Sequence, residues 1–467
     1  MSHQFDSTVL REYDIRGIIG ETLGPDDARA IGRGFATLLR AAGGSKVAVG
    51  YDGRVSSPML EHALIEGLNA SGCDVVRVGM GPTPMLYYAE ASLDDVDGGI
   101  QITGSHNPAN YNGFKMVFQG RPFFGADIVK IGELASAGDW TDGSGTAESR
   151  DVMDAYIDRM LEALDGVDTA ALSNLKVGWD AGNGAAGPAL EKLAARLPGE
   201  HHLLYTEVDG NFPNHHPDPT VEANLVDLRE LVADKNLDFG IAFDGDGDRI
   251  GAIDGEGRVI WGDQLLMIYA EDVLKTRPGA TVIADVKASR ALFDSVTKFG
   301  GEPLMWKTGH SLIKSKMKET GSPLAGEMSG HVFFADTYYG YDDALYAGIR
   351  LIAASARLGK SVTELRGSMP AMVNTPEMRF QVDESRKFAA IDEVKKRLAD
   401  SPDEVNGTDG VRVTNNDGWW LLRASNTQDV LVARAESDSQ AGLDRLVAQI
   451  DEQLELSGLE RGESVGH

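Results

Sequence analysis

Cysteine and long apolar runs are the features that this sequence most clearly lacks. Its single cysteine, Cys73, excludes an internal disulfide and is typical of a reducing compartment, so we expect a cytoplasmic protein. No apolar run approaches the roughly 18 residues that a membrane-spanning helix needs. The opening segment MSHQFDSTVLREYDIRG has no continuous apolar stretch, so we expect no secretory signal.

Basic residues are also scarce. The chain has 44 Lys and Arg against 72 Asp and Glu, which gives a net charge of −28. Nucleic acids and anionic membrane surfaces are bound by neutralising their phosphates with Lys and Arg, so we expect neither as a partner. A small anion is not excluded, because charges are screened over roughly 8 Å at physiological salt and such a ligand feels only its pocket. A phosphate site would therefore require basic residues that are concentrated locally.

One pattern recurs three times along the chain. An apolar strand that ends near an aspartate is followed by a short polar loop and an amphipathic helix, in residues 46–68, 175–197 and 281–301. Such alternation predicts parallel or mixed sheets with helices on both faces. The sequence therefore predicts an α/β protein that contains three similar mixed-sheet domains.

The domain boundaries are placed in Gly-rich or acidic joints, near residues 139–150, 254–258 and 367–370. The three α/β domains then span residues 1–150, 151–257 and 258–369. Residues 370–467 do not repeat this pattern. Their sequence predicts a strand and a helix, then two strands around SNTQD, and then a final helix. This last segment predicts a smaller α+β domain.

The hexapeptide TGSHNP, residues 103–108, follows the apolar run GGIQI. At a strand end the hydroxyl of Ser105 would be exposed, and Gly104 would let the backbone curl. His106 and Lys115 place positive charge nearby, which would favour an alkoxide or a phosphate on Ser105. A plain turn uses the same residue types, so this motif alone leaves Ser105 as either a nucleophile or a turn residue.

The segment DGDGDR carries three aspartates, Asp244, Asp246 and Asp248, separated only by glycines after an apolar strand. Like charges this close are destabilising unless a cation lies among them. Hard oxygen ligands without Cys or His favour Mg²⁺ over zinc. An EF-hand loop requires Gly and Glu where this segment has Arg249 and Gly255, so that alternative fails. Phosphorylation of Asp244 itself stays open as an alternative.

The segment GEMSGH, residues 326–331, offers groups suited to a polyol. Glu327 and Ser329 can accept and donate hydrogen bonds to sugar hydroxyls. His331 adds an imidazole, which can donate or accept a proton. Taken alone, a loop of this composition is more typical of a turn than of a site.

The segment RASNT, residues 423–427, lies between two predicted strands of the last domain. Arg423 can bind a phosphate with two parallel hydrogen bonds. Further donors follow in Ser425, Asn426 and Thr427. The four loops together indicate a phosphate-sized anion, a divalent cation and a polyol.

In this order and spacing, the four motifs resemble the α-D-phosphohexomutase superfamily, and within it the phosphomannomutase/phosphoglucomutase group. The resemblance begins at REYDIRG, residues 11–17, and extends into the last domain. It implies a heart-shaped arrangement in which each of four domains gives one loop to a central cleft, with a mobile fourth domain. It implies reversible phosphate transfer between the 1- and 6-positions of mannose or glucose. Phosphoglucosamine mutase and a non-catalytic sugar-phosphate binding protein are the alternatives.

The resemblance also implies roles for individual residues. Ser105 would be a phosphoserine, and Mg²⁺ would be held by its phosphate with Asp244, Asp246 and Asp248. Glu327 and Ser329 would bind the sugar hydroxyls. The loop 423–427 would bind the substrate's existing phosphate. Lys115 and His331 are candidates for general acid and base, without one role assigned to each. The remaining implied active-site residues are Tyr13, Arg16, Arg249, Lys287 and His310.

The same resemblance implies a hexose 1,6-bisphosphate that serves as intermediate and activator. We expect small hexose phosphates as the substrates and a monomer or weak homodimer as the assembly. One departure is that Gln428 and Asp429 follow RASNT, where relatives often have a proline. We expect this change to alter the stiffness of the loop without removing a ligand.

Overall fold

Four β-sheets follow one another along the chain in the computed structural model, which describes residues 2–426 and 428–462. The first three sheets mix parallel and antiparallel pairs, and the fourth is antiparallel throughout. The predicted class, three mixed-sheet α/β units before a C-terminal α+β unit, is therefore confirmed. The exact boundaries at 150, 257 and 369 stay predictions. Among residues 2–426 and 428–462, no helix combines the length and apolar character needed to cross a bilayer.

The first sheet has the strand order β1-β5-β4-β2-β3-β7, with β6 against β5. Its strands are β1 (Ile15–Ile18), β2 (Lys46–Tyr51), β3 (Asp74–Met80), β4 (Gly98–Ile102), β5 (Tyr111–Phe118), β6 (Arg121–Pro122) and β7 (Ala147–Ser149). Its helices are α1 (Pro25–Ala41), α2 (Ser57–Ala70), α3 (Thr83–Ser92) and α4 (Ala126–Ala137). Strands β2, β3 and β4 are parallel, and β5 returns antiparallel beside β4.

The second sheet has the order β12-β11-β10-β8-β9. Its strands are β8 (Lys176–Asp180), β9 (Glu200–Leu204), β10 (Phe239–Phe243), β11 (Ile250–Asp254) and β12 (Val259–Ile260). Its α-helices are α5 (Met153–Leu161), α6 (Thr169–Leu172), α7 (Gly187–Ala194) and α8 (Val226–Lys235), and two 3₁₀ turns span Glu162–Leu164 and Glu222–Leu225. Strand β10 is buried along its whole length, as expected for a strand covered on both faces.

The third sheet has the order β14-β13-β15-β16. Its strands are β13 (Thr281–Asp285), β14 (Glu302–Trp306), β15 (Leu324–Gly326) and β16 (Val332–Phe334). Its helices are α9 (Gly262–Thr276), α10 (Arg290–Lys298), α11 (His310–Thr320), α12 (Ala344–Leu358) and α13 (Val362–Gly367). Ser289 and Asp343 accept backbone hydrogen bonds at the starts of α10 and α12, which satisfies amides that have no partner within the helix.

Each of these three sheets carries a predicted functional loop at the same structural position. The loop joins a strand that has a parallel neighbour to a strand that runs antiparallel: β4 to β5, β10 to β11, and β15 to β16. Ligand sites of open α/β sheets lie beyond the carboxyl ends of such strands. The three loops are therefore equivalent hairpin connections in three related sheets.

The fourth sheet has the order β17-β22-β21-β20-β19, with β18 also against β22. Its strands are β17 (Val373–Asn374), β18 (Met378–Gln381), β19 (Glu404–Asn406), β20 (Val411–Asn415), β21 (Gly418–Ala424) and β22 (Val430–Ser437). Its helices are α14 (Glu384–Arg397) and α15 (Gln440–Glu455). The short strands β17, β19 and β20 lack a strong apolar alternation and were not expected from the sequence. The loop at 425–429 joins β21 to β22, as predicted.

Packing separates the fourth unit from the other three. One apolar core runs through the first three units and includes Trp179 and Tyr346, whereas the fourth unit has a core of its own. The contact between the third and fourth units combines polar groups with a small apolar cluster of Val286, Trp419 and Leu421. Arg412 Nη1 donates to the carbonyls of Val286 and Ala288, at 2.6 and 2.8 Å. A unit with its own core can move relative to the rest of the chain.

Candidate active site

The four predicted loops converge on one cavity of about 620 Å³. Its wall includes thirteen of the residues predicted from the sequence: Tyr13, Arg16, Ser105, Lys115, Arg249, Lys287, His310, Glu327, Ser329, His331, Arg423, Ser425 and Asn426. The three aspartates do not line the cavity but lie beneath Ser105, fully buried. Thr427 lies outside the described residues. All four units thus contribute to a single candidate site.

Ser105 is held in an unusual backbone conformation at the floor of the cavity. Its φ angle is +50°, in the left-handed region that non-glycine residues seldom adopt. Its Oγ donates to Asp244 Oδ2 at 3.0 Å and lies 3.2 Å from His106 Nδ1. Strain that is retained at a buried residue indicates that the surroundings impose it, which is typical of functional sites.

A buried arginine that the sequence analysis did not single out holds this loop in place. Arg54 donates to the carbonyl oxygens of Ser105, Asn107, Pro108 and Tyr111, at 2.6 to 3.0 Å. Its Nε donates to Asp52 Oδ2 at 3.2 Å, so every N–H of the guanidinium has an acceptor. The sequence feature that could have pointed to Arg54 is the segment YDGR, residues 51–54. This segment lies at the end of the first strand of the recurring strand-loop-helix pattern.

Lys115 lies against the acidic loop. Its Nζ donates to Asp246 Oδ2 at 2.8 Å and also to Asp248 Oδ2. Although burial disfavours an ammonium group, the carboxylates of Asp246 and Asp248 raise the pKa of Lys115 well above its usual value. Burial raises the pKa of Asp244 and Asp248, and the neighbouring Asp246 adds to both effects. Asp246 behaves oppositely, because Lys115 outweighs burial and lowers its pKa.

The acidic loop is suited to a cation. The carboxylate oxygens of Asp244, Asp246 and Asp248 lie within 4.8 Å of one another, and all three residues are buried. Asp246 Oδ1 and Asp248 Oδ1 are buried without a hydrogen-bond partner among the described residues. One ammonium does not balance three carboxylates, and buried oxygens without partners are costly. A divalent cation with oxygen preference fits both the charge and the free oxygens.

His331 connects the acidic loop with the third unit. Arg249 Nε donates to His331 Nε2 at 3.0 Å, and His331 Nδ1 lies 3.0 Å from Asp342 Oδ2. The rings of His310 and His331 stack with centroids 5.5 Å apart. Burial lowers the pKa of His310 well below its usual value. The two predicted histidines therefore lie side by side, and both are close to the carboxylate of Asp342. No sequence motif singles out Asp342.

Glu327 and Ser329, the residues predicted to bind sugar hydroxyls, also line the cavity. Glu327 is buried, and its Oε1 accepts from the backbone N–H of Gly309 at 2.7 Å. Burial raises the pKa of Glu327 above its usual value. Ser329 is half-buried and lines the cavity. Glu327 thus has one oxygen engaged by the protein and a second oxygen that can meet a ligand hydroxyl.

The phosphate-loop residues of the fourth unit approach the first and third units. Arg423 Nε donates to Asp409 Oδ2 at 3.0 Å. Asn426 Nδ2 donates to the hydroxyl of Tyr13, which in turn donates to the carbonyl of Thr308 at 3.0 Å. Burial raises the pKa of Tyr13 to about 12, so its hydroxyl stays protonated. Tyr13 therefore joins three units at the rim of the cavity.

The cavity wall has the local positive charge that a phosphate site requires. Eight Lys and Arg side chains line it, against three Asp and Glu. These basic side chains also have partners within the protein: Lys287, for example, donates to Glu377 at 2.9 Å, and Arg16 donates to Asn107 at 2.7 Å. The sequence analysis missed Arg11, Arg379 and Arg434 on this wall. An acidic protein with a net charge of −28 thus contains a basic pocket.

A serine over an acidic triad, within a basic cavity built by four loops, matches the phosphohexomutase class. Comparison with family models agrees: phosphoglucomutase/phosphomannomutase domains I, II and III match residues 7–142, 154–257 and 261–372. The C-terminal domain of the same family matches residues 377–453. The chain belongs to the phosphoglucomutase/phosphomannomutase family.

Individual relatives are similar over almost the whole chain. A phosphomannomutase/phosphoglucomutase of Pseudomonas aeruginosa is 44% identical over 448 residues, 96% of each chain. A phosphoglucomutase of Neisseria gonorrhoeae is 42% identical and covers 94% of this chain and 95% of its own. The crystal structure of a family protein from Burkholderia thailandensis superimposes with a TM-score of 0.91 at 44% identity, over 99% of this chain and 100% of that chain.

Arg54→Lys tests whether the guanidinium holds the Ser105 loop. A lysine cannot satisfy four carbonyls and a carboxylate, so we expect the free energy of unfolding to fall by about 1–3 kcal/mol. Amides 104–108 should exchange hydrogen faster, as measured by mass spectrometry. The control Arg29→Lys changes an exposed side chain paired with Asp26 and Glu66 and should leave that exchange unaltered. Unchanged protection of 104–108 in Arg54→Lys would contradict the assignment.

Proposed function

We propose that this protein reversibly transfers phosphate between the 1- and 6-positions of mannose and glucose, with Ser105 as the phosphate carrier. One observation carries the proposal: Ser105 Oγ lies on the cavity, 3.0 Å from Asp244 Oδ2, between the acidic triad and the basic wall. The names of the relatives support the substrates. The proposal includes a cytoplasmic location, a monomer or weak homodimer, and hexose phosphates as the substrates.

Ser105 is a better carrier than Asp244, the alternative left open by the sequence. Asp244 has no exposed surface and does not line the cavity. Its Oδ2 accepts from Ser105, and its Oδ1 accepts from the backbone N–H of Asp248 at 3.1 Å. A buried carboxylate held in this way can serve as a metal ligand, whereas Ser105 lines the cavity in which the substrate would bind.

The proposed cation is Mg²⁺, held by Asp244, Asp246 and Asp248 together with an oxygen on Ser105. Mg²⁺ bound there would neutralise negative charge on the transferring phosphoryl group. Lys115 already contacts two of these carboxylates and lines the cavity, so its ammonium can stabilise charge from the other side. Its ammonium carries N–H groups at the cavity wall, which makes Lys115 the candidate proton donor.

Each transfer exchanges one phosphorus–oxygen bond for another. The bond between phosphorus and Ser105 Oγ breaks, and a bond from phosphorus to the sugar hydroxyl forms. The proton of that hydroxyl passes to His331 Nε2, and Lys115 supplies a proton to the departing serine oxygen. His331 lines the cavity and is the histidine that also contacts Arg249. The reverse transfer, from the other end of the bisphosphate, regenerates the phosphoserine.

The proposed hexose 1,6-bisphosphate must reorient between the two transfers. Arg423, Ser425, Asn426 and Thr427 would hold the phosphate that does not react, whichever end it occupies, while Glu327 and Ser329 bind the sugar hydroxyls. Closure of the cavity would protect the phosphoserine from water. The separate core of the fourth unit supports opening and closing about its junction with the third.

Ser105→Ala tests the carrier assignment. Without the serine oxygen no phosphoenzyme can form, so mutase activity should disappear while sugar-phosphate binding persists. Activity is measured with mannose 1-phosphate, glucose 1-phosphate and glucosamine 1-phosphate, each with trace hexose 1,6-bisphosphate. Ser136→Ala, at an exposed serine, serves as the control. Substantial turnover by Ser105→Ala would refute the carrier, and preference for glucosamine 1-phosphate would refute the proposed substrates.

Asp246→Asn tests the cation site. Carboxylate sites bind divalent cations according to their ligand charge, so the Mg²⁺ concentration for half-maximal activity should rise roughly tenfold or more. Direct binding is followed by calorimetric titration of Mg²⁺ into the unphosphorylated protein. Asp234→Asn changes an exposed carboxylate and should leave the titration unaltered. An identical Mg²⁺ profile for Asp246→Asn would count against the triad as the metal site.

A further inference from the structure

His331 has a defined chemical environment on both ring nitrogens. Its Nε2 accepts a hydrogen bond from Arg249 Nε at 3.0 Å. An arginine has no acceptor, so this contact requires a lone pair on Nε2. In the neutral ring the proton must then be on Nδ1. The nearest acceptor to Nδ1 is Asp342 Oδ2, at 3.0 Å.

We infer that Asp342 is a positioning residue for His331, which it holds in the Nδ1–H tautomer, so that Nε2 keeps the lone pair that now accepts from Arg249. The inference deepens the proposed function and rests on it, because His331 is the proposed base. Asp342 was not among the residues singled out from the sequence. It lies at a bend after β16, where its backbone bridges to Phe333.

The buried polar atoms around His331 support this pairing. His331 Nδ1 and Asp342 Oδ2 are both buried, and neither forms a hydrogen bond among the described residues. They lie 3.0 Å apart, and because unpaired buried polar atoms are costly, an electrostatic contact between the two is favoured. The other carboxylate near Nδ1, Asp248 Oδ1, is farther away at 3.6 Å.

Asp342 is itself held rigidly. Lys314 Nζ donates to Asp342 Oδ1 at 2.9 Å, and the same ammonium lies 4.4 Å from the centre of the Tyr87 ring. One carboxylate oxygen is therefore fixed by Lys314, and the other faces the histidines. On its second side, His331 stacks on the ring of His310. The imidazole of His331 is thus confined by a carboxylate, an arginine and a parallel ring.

The consequence for catalysis follows from this geometry. When the attacking sugar hydroxyl takes the place of Arg249 at Nε2 and gives its proton to that nitrogen, the ring becomes an imidazolium whose charge faces the Asp342 carboxylate. A carboxylate that orients a histidine base in this way contributes strongly to turnover, because the wrong tautomer has no lone pair at the reacting nitrogen. Asp342 touches no substrate and acts only through His331.

Asp342→Asn tests the inference because it retains size but can present an N–H to His331 Nδ1, which favours the opposite tautomer. We expect kcat to fall by about 10²- to 10⁴-fold, while KM for glucose 1-phosphate stays unchanged. The matched control is Asp343→Asn. Asp343 is the adjacent buried carboxylate, but it caps α12 through the Tyr346 N–H, a role that asparagine also fills. Asp343→Asn should retain kcat.

A spectroscopic measurement keeps the inference separable from the proposed function. In protein labelled with ¹⁵N-histidine, the His331 nitrogen shifts distinguish the two tautomers, with His331→Gln used for assignment. We expect Nδ1–H in the wild type and in Asp343→Asn, and loss of that form in Asp342→Asn. An Nε2–H tautomer in the wild type, or equal kcat for Asp342→Asn and Asp343→Asn, would overturn the inference. Absence of mutase activity in a wild type with the Nδ1–H tautomer would instead refute the proposed function.

Discussion

The burial of four carboxylates at the floor of one cavity is the constraint on which the site depends. Asp244, Asp246, Asp248 and Asp342 have no exposed surface, and each would be unstable alone. Lys115 and Lys314 compensate part of this charge by direct contacts from the first and third units. The remaining negative charge and the free oxygens of Asp246 and Asp248 explain why a divalent cation is proposed there.

The same constraint explains how the units are arranged. The acidic loop belongs to the second unit, but the ammonium that contacts it, Lys115, belongs to the first, so this compensation requires the two units to pack together. The apolar core that runs through the first three units stabilises that packing. The fourth unit contributes no charge to this cluster and has a separate core, so movement of its phosphate loop does not require the acidic loop to be uncovered.

What the sequence could predict was local. Ser105, the three aspartates and the loops at 326–331 and 423–427 were found because each motif is contiguous and follows a recognisable apolar strand. Partners that are distant in sequence carry no such signal: Arg54 is 51 residues from Ser105, and Asn426 is 413 residues from Tyr13. Asp342 lies in a tyrosine-rich turn without any motif. The short strands of the last sheet were not predicted because their strand conformation depends on pairing with neighbouring strands more than on residue type.

Phosphate on Ser105 during turnover is the central claim. The most direct measurement is mass spectrometry of the Ser105 peptide after rapid quenching of enzyme that is converting glucose 1-phosphate. The account predicts that this serine alone gains the mass of one phosphoryl group and loses it when a hexose monophosphate accepts the phosphate. An active enzyme whose Ser105 peptide never carries phosphate, or whose phosphate lies on Asp244 and is released by hydroxylamine, would contradict it.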